Sequence, residues 1–105
     1  MPVRRRNLAD RHADDARYND LKQRLVAAWR EQDNPAPSPD ILEETDGQQR
    51  VVHVFVTWDE WADLDAQTRS EMIVEALQEV KGEAAVLELT IAMGLTRAEA
   101  ARLGR

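Results

Sequence analysis

The stretch of sequence that decides the fold is DILEETDGQQRVVHVFVTW, residues 40–58. It contains two candidate strands, Asp40–Thr45 and Arg50–Trp58, separated by the dipeptide Asp46-Gly47 and two glutamines. An Asp-Gly pair between two such segments is among the strongest local signals for a hairpin turn. The sequence therefore predicts an antiparallel hairpin at this position.

The second candidate strand is apolar on both of its faces. Successive side chains of a strand point to opposite sides of the sheet. One side receives Val52, Val54, Val56 and Trp58, and the other receives Val51, His53, Phe55 and Thr57. This pattern predicts a central strand. If helices cover only one side of the sheet, Phe55 and Val51 are exposed to water unless the N-terminal arm or a second subunit covers them.

Helix signals flank the hairpin on both sides. They predict an amphipathic helix over about residues 19–32, a single helical turn over Asp59–Leu64, a longer helix over about residues 66–81 and a short C-terminal helix that begins at the capping box Thr96–Glu99. Asp65 is the predicted N-cap of the longer helix, and Gly82 is placed to end it. The inner stripe of that helix comprises Arg69, Met72, Ile73, Ala76, Leu77 and Val80.

A third strand is predicted over Ala84–Met93, where apolar residues alternate with a set that includes Glu88 and Thr90. Because a helix separates it from the second strand, a right-handed crossover makes these two strands parallel. The predicted fold class is α+β. It is a two-layer domain in the order α-β-β-α-β-α, with a three-stranded mixed sheet (an antiparallel hairpin plus a third strand parallel to the second) packed against helices.

The composition is typical of a single folded domain. The chain has 105 residues, 43% hydrophobic and 32% charged, which lies outside the range of disordered sequences. We expect a basic, flexible N-terminal arm over residues 1–17 and one domain over residues 18–105. There is no cysteine, which excludes disulfides, thiolate catalysis and cysteine-based metal sites. No apolar run indicates a signal peptide or a membrane span, so we expect a cytoplasmic protein without a membrane partner.

The charge is negative overall but unevenly distributed. The formal net charge is −6, which argues against a surface that is cationic everywhere, as in non-specific nucleic-acid binders. Arg4, Arg5 and Arg6 lie together at the N-terminus, whereas several acids crowd into residues 59–65. Three alternatives stay open for these arginines: they form a solvated tail, they dock on the acidic patch of a sister subunit, or they contact nucleic-acid phosphates.

The most unusual local feature is the acidic segment with two tryptophans. As a site for a protein partner it comprises Trp58, Asp59, Glu60, Trp61 and Asp63. Tryptophans beside acids are suited to serve as aromatic anchors with a charged rim for a basic protein. The alternative is structural: both rings belong to the core, and the acids stabilise a helix N-terminus.

The sequence offers no recognisable catalytic, cofactor or metal centre. His12 and His53 lie on different elements, and His53 shares a strand face with Phe55, which favours a packed, hydrogen-bonded ring over a metal ligand. Ser38 and Ser70 have no histidine at an interpretable spacing, and the four glycines are scattered singly. We therefore predict no catalytic residue, no cofactor and no bound metal.

The order of elements and several short motifs resemble the BolA-like proteins and the related type II KH fold. The motifs are His53-Val54-Phe55-Val56, Trp61 followed by Leu64, Arg69, and Leu89-Thr90-Ile91 leading to Thr96-Arg97-Ala98-Glu99-Ala100. They lie within residues 20–100 and are mostly core and capping positions. The resemblance implies a topology much more than an activity.

The residues that carry function in those families are replaced here. BolA-like proteins use a histidine directly after the helix arginine, with glutaredoxin partners around an iron–sulfur cluster, and Ser70 stands at that position. Their second histidine, at the start of the last strand, falls near Leu87. The KH Gly-x-x-Gly loop corresponds to Leu64-Asp65-Ala66-Gln67, which has no glycine. Neither cluster ligation nor KH-type nucleic-acid binding carries over.

The leading hypothesis is a non-catalytic interaction or regulatory module that binds another protein or assembles with itself, as a homo-oligomer and specifically a dimer. The alternative is a nucleic-acid-associated regulator that uses a KH-like scaffold and the N-terminal arginine arm. A second alternative is an enzyme whose carboxylates come together only in space. No small-molecule substrate is indicated.

Overall fold

The computed structural model describes residues 15–31 and 39–104 of the chain, and within them it has the predicted α+β fold. The elements are α1 (Ala16–Arg30), β1 (Asp40–Thr45), β2 (Val51–Thr57), a 3-10 turn (Asp59–Trp61), α2 (Ala66–Lys81), α3 (Glu83–Glu88), β3 (Ile91–Leu95) and α4 (Arg97–Arg102). The three strands form one sheet in the order β1-β2-β3. The first pair is antiparallel and the second parallel, so the predicted mixed sheet with a central β2 is confirmed.

The hairpin turn is built by an aspartate side chain. The Asp46 carboxylate accepts the backbone N–H groups of Gln48 and Arg50 at 2.9 and 3.0 Å. Within this turn, Gln49 has a positive φ of 63°, whereas the φ of Gly47 is not positive. The Asp-Gly pair thus correctly marks the hairpin, but the aspartate organises the loop and the left-handed position falls two residues after the glycine.

Helices α1 and α2 cover one face of the sheet and enclose the core with it. The fully buried side chains include those of Leu25, Val54, Val56, Trp61, Met72, Ile73 and Leu77. At the β1 edge, Glu43 accepts a hydrogen bond from the Trp29 indole of α1 at 2.6 Å and one from Lys81 of α2 at 2.9 Å. This carboxylate fixes both helices to the hairpin.

The first helix begins earlier than the sequence pattern predicts. Asp15 caps it by accepting the backbone N–H of Tyr18 at 3.0 Å, and Tyr18 is buried. Ala16 and Arg17, predicted to belong to the N-terminal arm, are therefore part of α1. The charged residues around Tyr18 hide the start of the helix, because they dilute the apolar repeat there.

The third strand is shorter than predicted, since the segment Ala84–Met93 divides into a helix and a strand. Residues 83–88 form α3, and β3 begins only at Ile91. Before β3 begins, the side chains of this segment that pack against the core are Ala85, Val86 and Leu89, which have helical spacing, while Leu87 is 80% exposed. Alanine, leucine and glutamate are strong helix formers, and here their preference outweighs the apparent alternation.

Candidate functional site

Both tryptophans of the acidic segment lie inside the core. Trp58 is 4% exposed and Trp61 is fully buried, and their rings meet edge to face with centroids 5.1 Å apart. The Trp61 indole N–H donates to the backbone carbonyl of Val56 at 3.0 Å. The burial favours the structural alternative for both rings, and it leaves the three carboxylates as the accessible part of this segment.

Each of those three carboxylates faces an arginine of another element. Asp63 receives a bidentate pair of hydrogen bonds from Arg17 of α1, which lowers the pKa of Asp63. Glu60 lies 3.7 Å from Arg24 of α1. Asp59 accepts the backbone N–H of Arg97 at 3.0 Å. The acidic segment thus connects α1 and α4, and arginines of those two helices balance much of its negative charge.

The other predicted contact residues are Arg4, Arg5 and Arg6, which lie outside the described residues. Their contact with nucleic acid or with an acidic patch stays a prediction.

Arg69 on α2 has a buried side chain that makes five hydrogen bonds to other parts of the chain. Arg69 is 7% exposed, and its guanidinium donates to the backbone carbonyls of Trp61, Leu64 and Gly94 and to the Glu99 carboxylate, at 2.7–3.2 Å. A Cβ added to Gly94 would lie 2.9 Å from the Cβ of Arg69 and 3.0 Å from the Trp61 ring. This close approach requires glycine at position 94. Arg69 therefore ties the 3-10 turn, β3 and α4 to α2.

Glu99 completes this connection and also caps α4. It accepts the backbone N–H of Thr96 at 2.8 Å, and the Thr96 hydroxyl accepts the N–H of Glu99 in return. The hydrogen bond from Thr96, followed by that from Arg69, lowers the pKa of Glu99. The sequence correctly identifies the capping box, but it does not reveal that Arg69 binds the same carboxylate. The signal available in the sequence was the position of Arg69 on the inner stripe of its helix. A buried cation needs hydrogen-bond acceptors, so this position indicates acceptors on neighbouring elements.

The face of the sheet that points away from α1 and α2 carries three rows of laterally paired residues, and we call it the open face. The rows are Asp40–Thr57–Leu95, Leu42–Phe55–Met93 and Glu44–His53–Ile91. The exposed fractions are 50% for Leu42 and 38% each for Met93 and Ile91. Apolar side chains of the two outer strands, β1 and β3, therefore remain in contact with water on this face.

Helix α4 covers one end of the open face. Its residues Arg97, Ala100 and Ala101 line a cavity of about 260 Å³ together with Asp40, Leu42, Phe55 and Thr57. Phe55, at the centre of the face, is only 5% exposed. The sequence predicts that Phe55 needs a cover and names the N-terminal arm or a second subunit for it. Within the described residues, α4 supplies part of that cover, whereas the row that contains Ile91 lies beyond the cavity.

His53 lies in the uncovered row, where its Nδ1 is 2.8 Å from a Glu44 carboxylate oxygen. Its ring meets the Phe55 ring edge to face, with the two ring centroids 6.2 Å apart. Ser70 donates its hydroxyl hydrogen to the Ala92 carbonyl at 2.7 Å.

In the described part of the chain, no group of three or more His, Asp or Glu side chains is arranged to hold a metal ion. In residues 15–31 and 39–104, no helix has the length and apolar character needed to cross a membrane.

No protein-family model, curated protein or solved structure matches this chain.

Proposed function

We propose that this chain is a non-catalytic interaction module that binds protein, either another protein or a further copy of itself, through the open face of its sheet. The observation that carries the proposal is the middle row of that face. Leu42 and Met93 lie on either side of Phe55 in direct register, and both remain partly exposed. Removing such apolar surface from water contributes about 25 cal/mol per Å².

The edges of the sheet are poorer candidates for binding than its open face. On β3 the carbonyls of Ala92 and Gly94 already accept hydrogen bonds from Ser70 and Arg69 of α2. On β1 the acids Asp40, Glu43 and Glu44 discourage the addition of another strand, since charges on an edge strand oppose edge-to-edge pairing. The open face is therefore the surface best suited to a partner.

We propose a homodimer in the cytoplasm without a bound cofactor, and a topology related to the BolA-like and type II KH proteins. The alternative of a nucleic-acid-associated regulator rests on Arg4–Arg6, outside the described residues. A gel-shift assay at low salt, repeated with all three arginines replaced, separates that alternative from protein binding, because phosphate contacts weaken as salt rises.

The proposal is tested by placing a charge on the open face. In Leu42→Lys, we expect loss of any self-association seen by light scattering and of any protein captured from a lysate of the source organism. Leu87→Lys is the matched control, because Leu87 is 80% exposed on α3 and lies outside the open face. A monomer at every concentration together with identical capture by the wild type and Leu42→Lys would contradict the proposal.

A further inference from the structure

The cavity beneath α4 is lined by both apolar and charged side chains. Its apolar lining comes from Leu42 and Phe55 of the sheet and from Ala100 and Ala101 of the helix, and its volume is about 260 Å³. Because both helix residues are alanines, space remains open between α4 and the sheet. Leu42 and Phe55 also belong to the middle row of the open face, so the cavity is continuous with the surface proposed for a partner.

Helix α4 is held over the cavity by residues that do not line it. The Glu99 carboxylate accepts hydrogen bonds from Arg69 at 2.7 Å and from the backbone N–H of Thr96 at 2.8 Å. Asp59 accepts the backbone N–H of Arg97 at 3.0 Å. These contacts keep the cavity formed when it is empty, so that an occupant does not have to order α4 in order to bind.

Two charged residues line the cavity, Asp40 of β1 and Arg97 of α4. Arg97 already faces Asp59, since its Nε lies 3.9 Å from that carboxylate in addition to the hydrogen bond from its backbone. The positive charge at the cavity is therefore compensated from within the chain, and the charge that an occupant can match is that of Asp40.

Asp40 differs from the other two acids of β1. Glu43 binds Lys81 at 2.9 Å, and Glu44 lies 2.8 Å from Nδ1 of His53. In the part of the chain that the structure describes, no hydrogen bond or ion pair involves the Asp40 carboxylate. A carboxylate beside an apolar cavity, with no cation of its own, favours an occupant that brings a positive charge.

We propose that this cavity receives a basic side chain, lysine or arginine, of the protein that binds the open face. The aliphatic part of such a side chain packs against Leu42 and Phe55, and its charged end pairs with Asp40. This inference rests on the proposed function and specifies the chemistry of the partner. An acidic side chain is excluded by repulsion from Asp40, and an apolar one leaves Asp40 without a cation.

The test uses single blocked amino acids as probes and the full chain as receptor, at low salt. Nα-acetyl-lysine N-methylamide presents one basic side chain without free termini, and the corresponding norleucine compound has the same aliphatic stem without the charge. Amide NMR titrations follow the signals of the cavity residues Leu42, Phe55, Thr57, Ala100 and Ala101. We expect the lysine probe to bind about threefold more tightly than the norleucine probe, as befits a partly exposed ion pair.

Two variants separate the charge from the space. Asp40→Asn should weaken the lysine probe about threefold and leave the norleucine probe unchanged, and Glu83→Gln, an exposed change on α3, is its control. Ala101→Leu should abolish the binding of both probes, because the larger side chain occupies the cavity. Its control is Ala98→Leu, at an exposed position of α4 outside the cavity lining. Alanine and leucine are both strong helix formers, and circular dichroism checks that each variant folds.

Three results overturn the inference. The first is equal binding of the lysine and norleucine probes to the wild type, and the second is an Asp40→Asn variant that binds lysine as tightly as the wild type. The third is binding of n-butylamine, the lysine side chain without its backbone, when the blocked lysine does not bind. That result assigns the cavity to a small free amine.

The failure of this inference is distinguishable from the failure of the proposed function. If a partner protein is lost in Leu42→Lys but bound equally by the wild type and Asp40→Asn, the open face binds protein without a basic side chain in the cavity. The proposed function then stands and the inference fails.

Discussion

The two faces of the sheet are made by the same three strands, yet their side chains differ in how far they are buried. On the face beneath α1 and α2, Val54 and Val56 have no exposed surface. On the open face, Leu42 is 50% exposed and Met93 is 38% exposed. Each is the immediate neighbour, along its own strand, of residues that pair with those two valines. The alternation of side chains thus produces two different surfaces. One encloses the core, and the other keeps apolar side chains of β1 and β3 in contact with water.

The covered face should be far less tolerant of substitution, and Trp61→Ala is the change expected to damage it most. It removes a fully buried indole and leaves a cavity between the sheet and α2, which should lower the free energy of unfolding by about 4 kcal/mol. Urea denaturation followed by circular dichroism measures the loss. A loss below about 1 kcal/mol would show that the core fills the space left by the indole, and that the covered face tolerates substitution nearly as well as the open face does.

Arg69→Met tests the polar part of the covered side. The variant keeps much of the side-chain volume but leaves the carbonyls of Trp61 and Gly94 without their guanidinium donor, at a cost of about 3 kcal/mol. The control is Arg97→Met, whose exposed pair with Asp59 at 3.9 Å should contribute no more than about 0.5 kcal/mol. Equal losses in the two variants, compared in the same urea titration, would contradict a structural role for Arg69.

The contrast between Arg69 and Arg97 illustrates what sequence patterns can predict. Helical periodicity places Arg69 on the inner stripe and the capping box locates the start of α4, because both signals are local. The acceptors of Arg69 lie on three other elements, up to 30 residues away along the chain. No local pattern specifies such a set. The same limit applies to Trp58 and Trp61, whose burial depends on the packing of α1 and α2.

The segment around Leu87 shows a second limit. Alternation of apolar residues predicts a strand there, but alternation and helical spacing overlap over a few residues, and the choice depends on which side chains reach the core. The two-sided apolarity of β2 does predict an open face that needs a cover. It cannot indicate that α4 covers one half of that face, because α4 is placed by Arg69 and Glu99.

As the pH falls, we expect the contacts that hold α4 to weaken before the core around Val54 and Val56 is affected. The hydrogen bonds from Thr96 and Arg69 lower the pKa of Glu99 in the folded state. A lowered folded-state pKa contributes stability that is complete above the unfolded value, about 4.3, and is lost as the pH falls through the folded value. Glu99→Gln should therefore be less stable than the wild type at pH 7 and should lose less stability between pH 5 and pH 3. Parallel curves for both proteins would contradict this assignment.

The smallest effect on folding is expected on the open face itself. Leu42 is half exposed, so Leu42→Lys buries no new charge in the monomer and should change its free energy of unfolding by less than about 0.5 kcal/mol. Val54→Thr is the matched change on the covered face, where a hydroxyl without a partner should cost about 2 kcal/mol. Both are measured by urea denaturation at concentrations low enough to keep the chain monomeric. If Leu42→Lys destabilises the monomer as much as Val54→Thr does, the open face belongs to the core and is not a surface held for a partner.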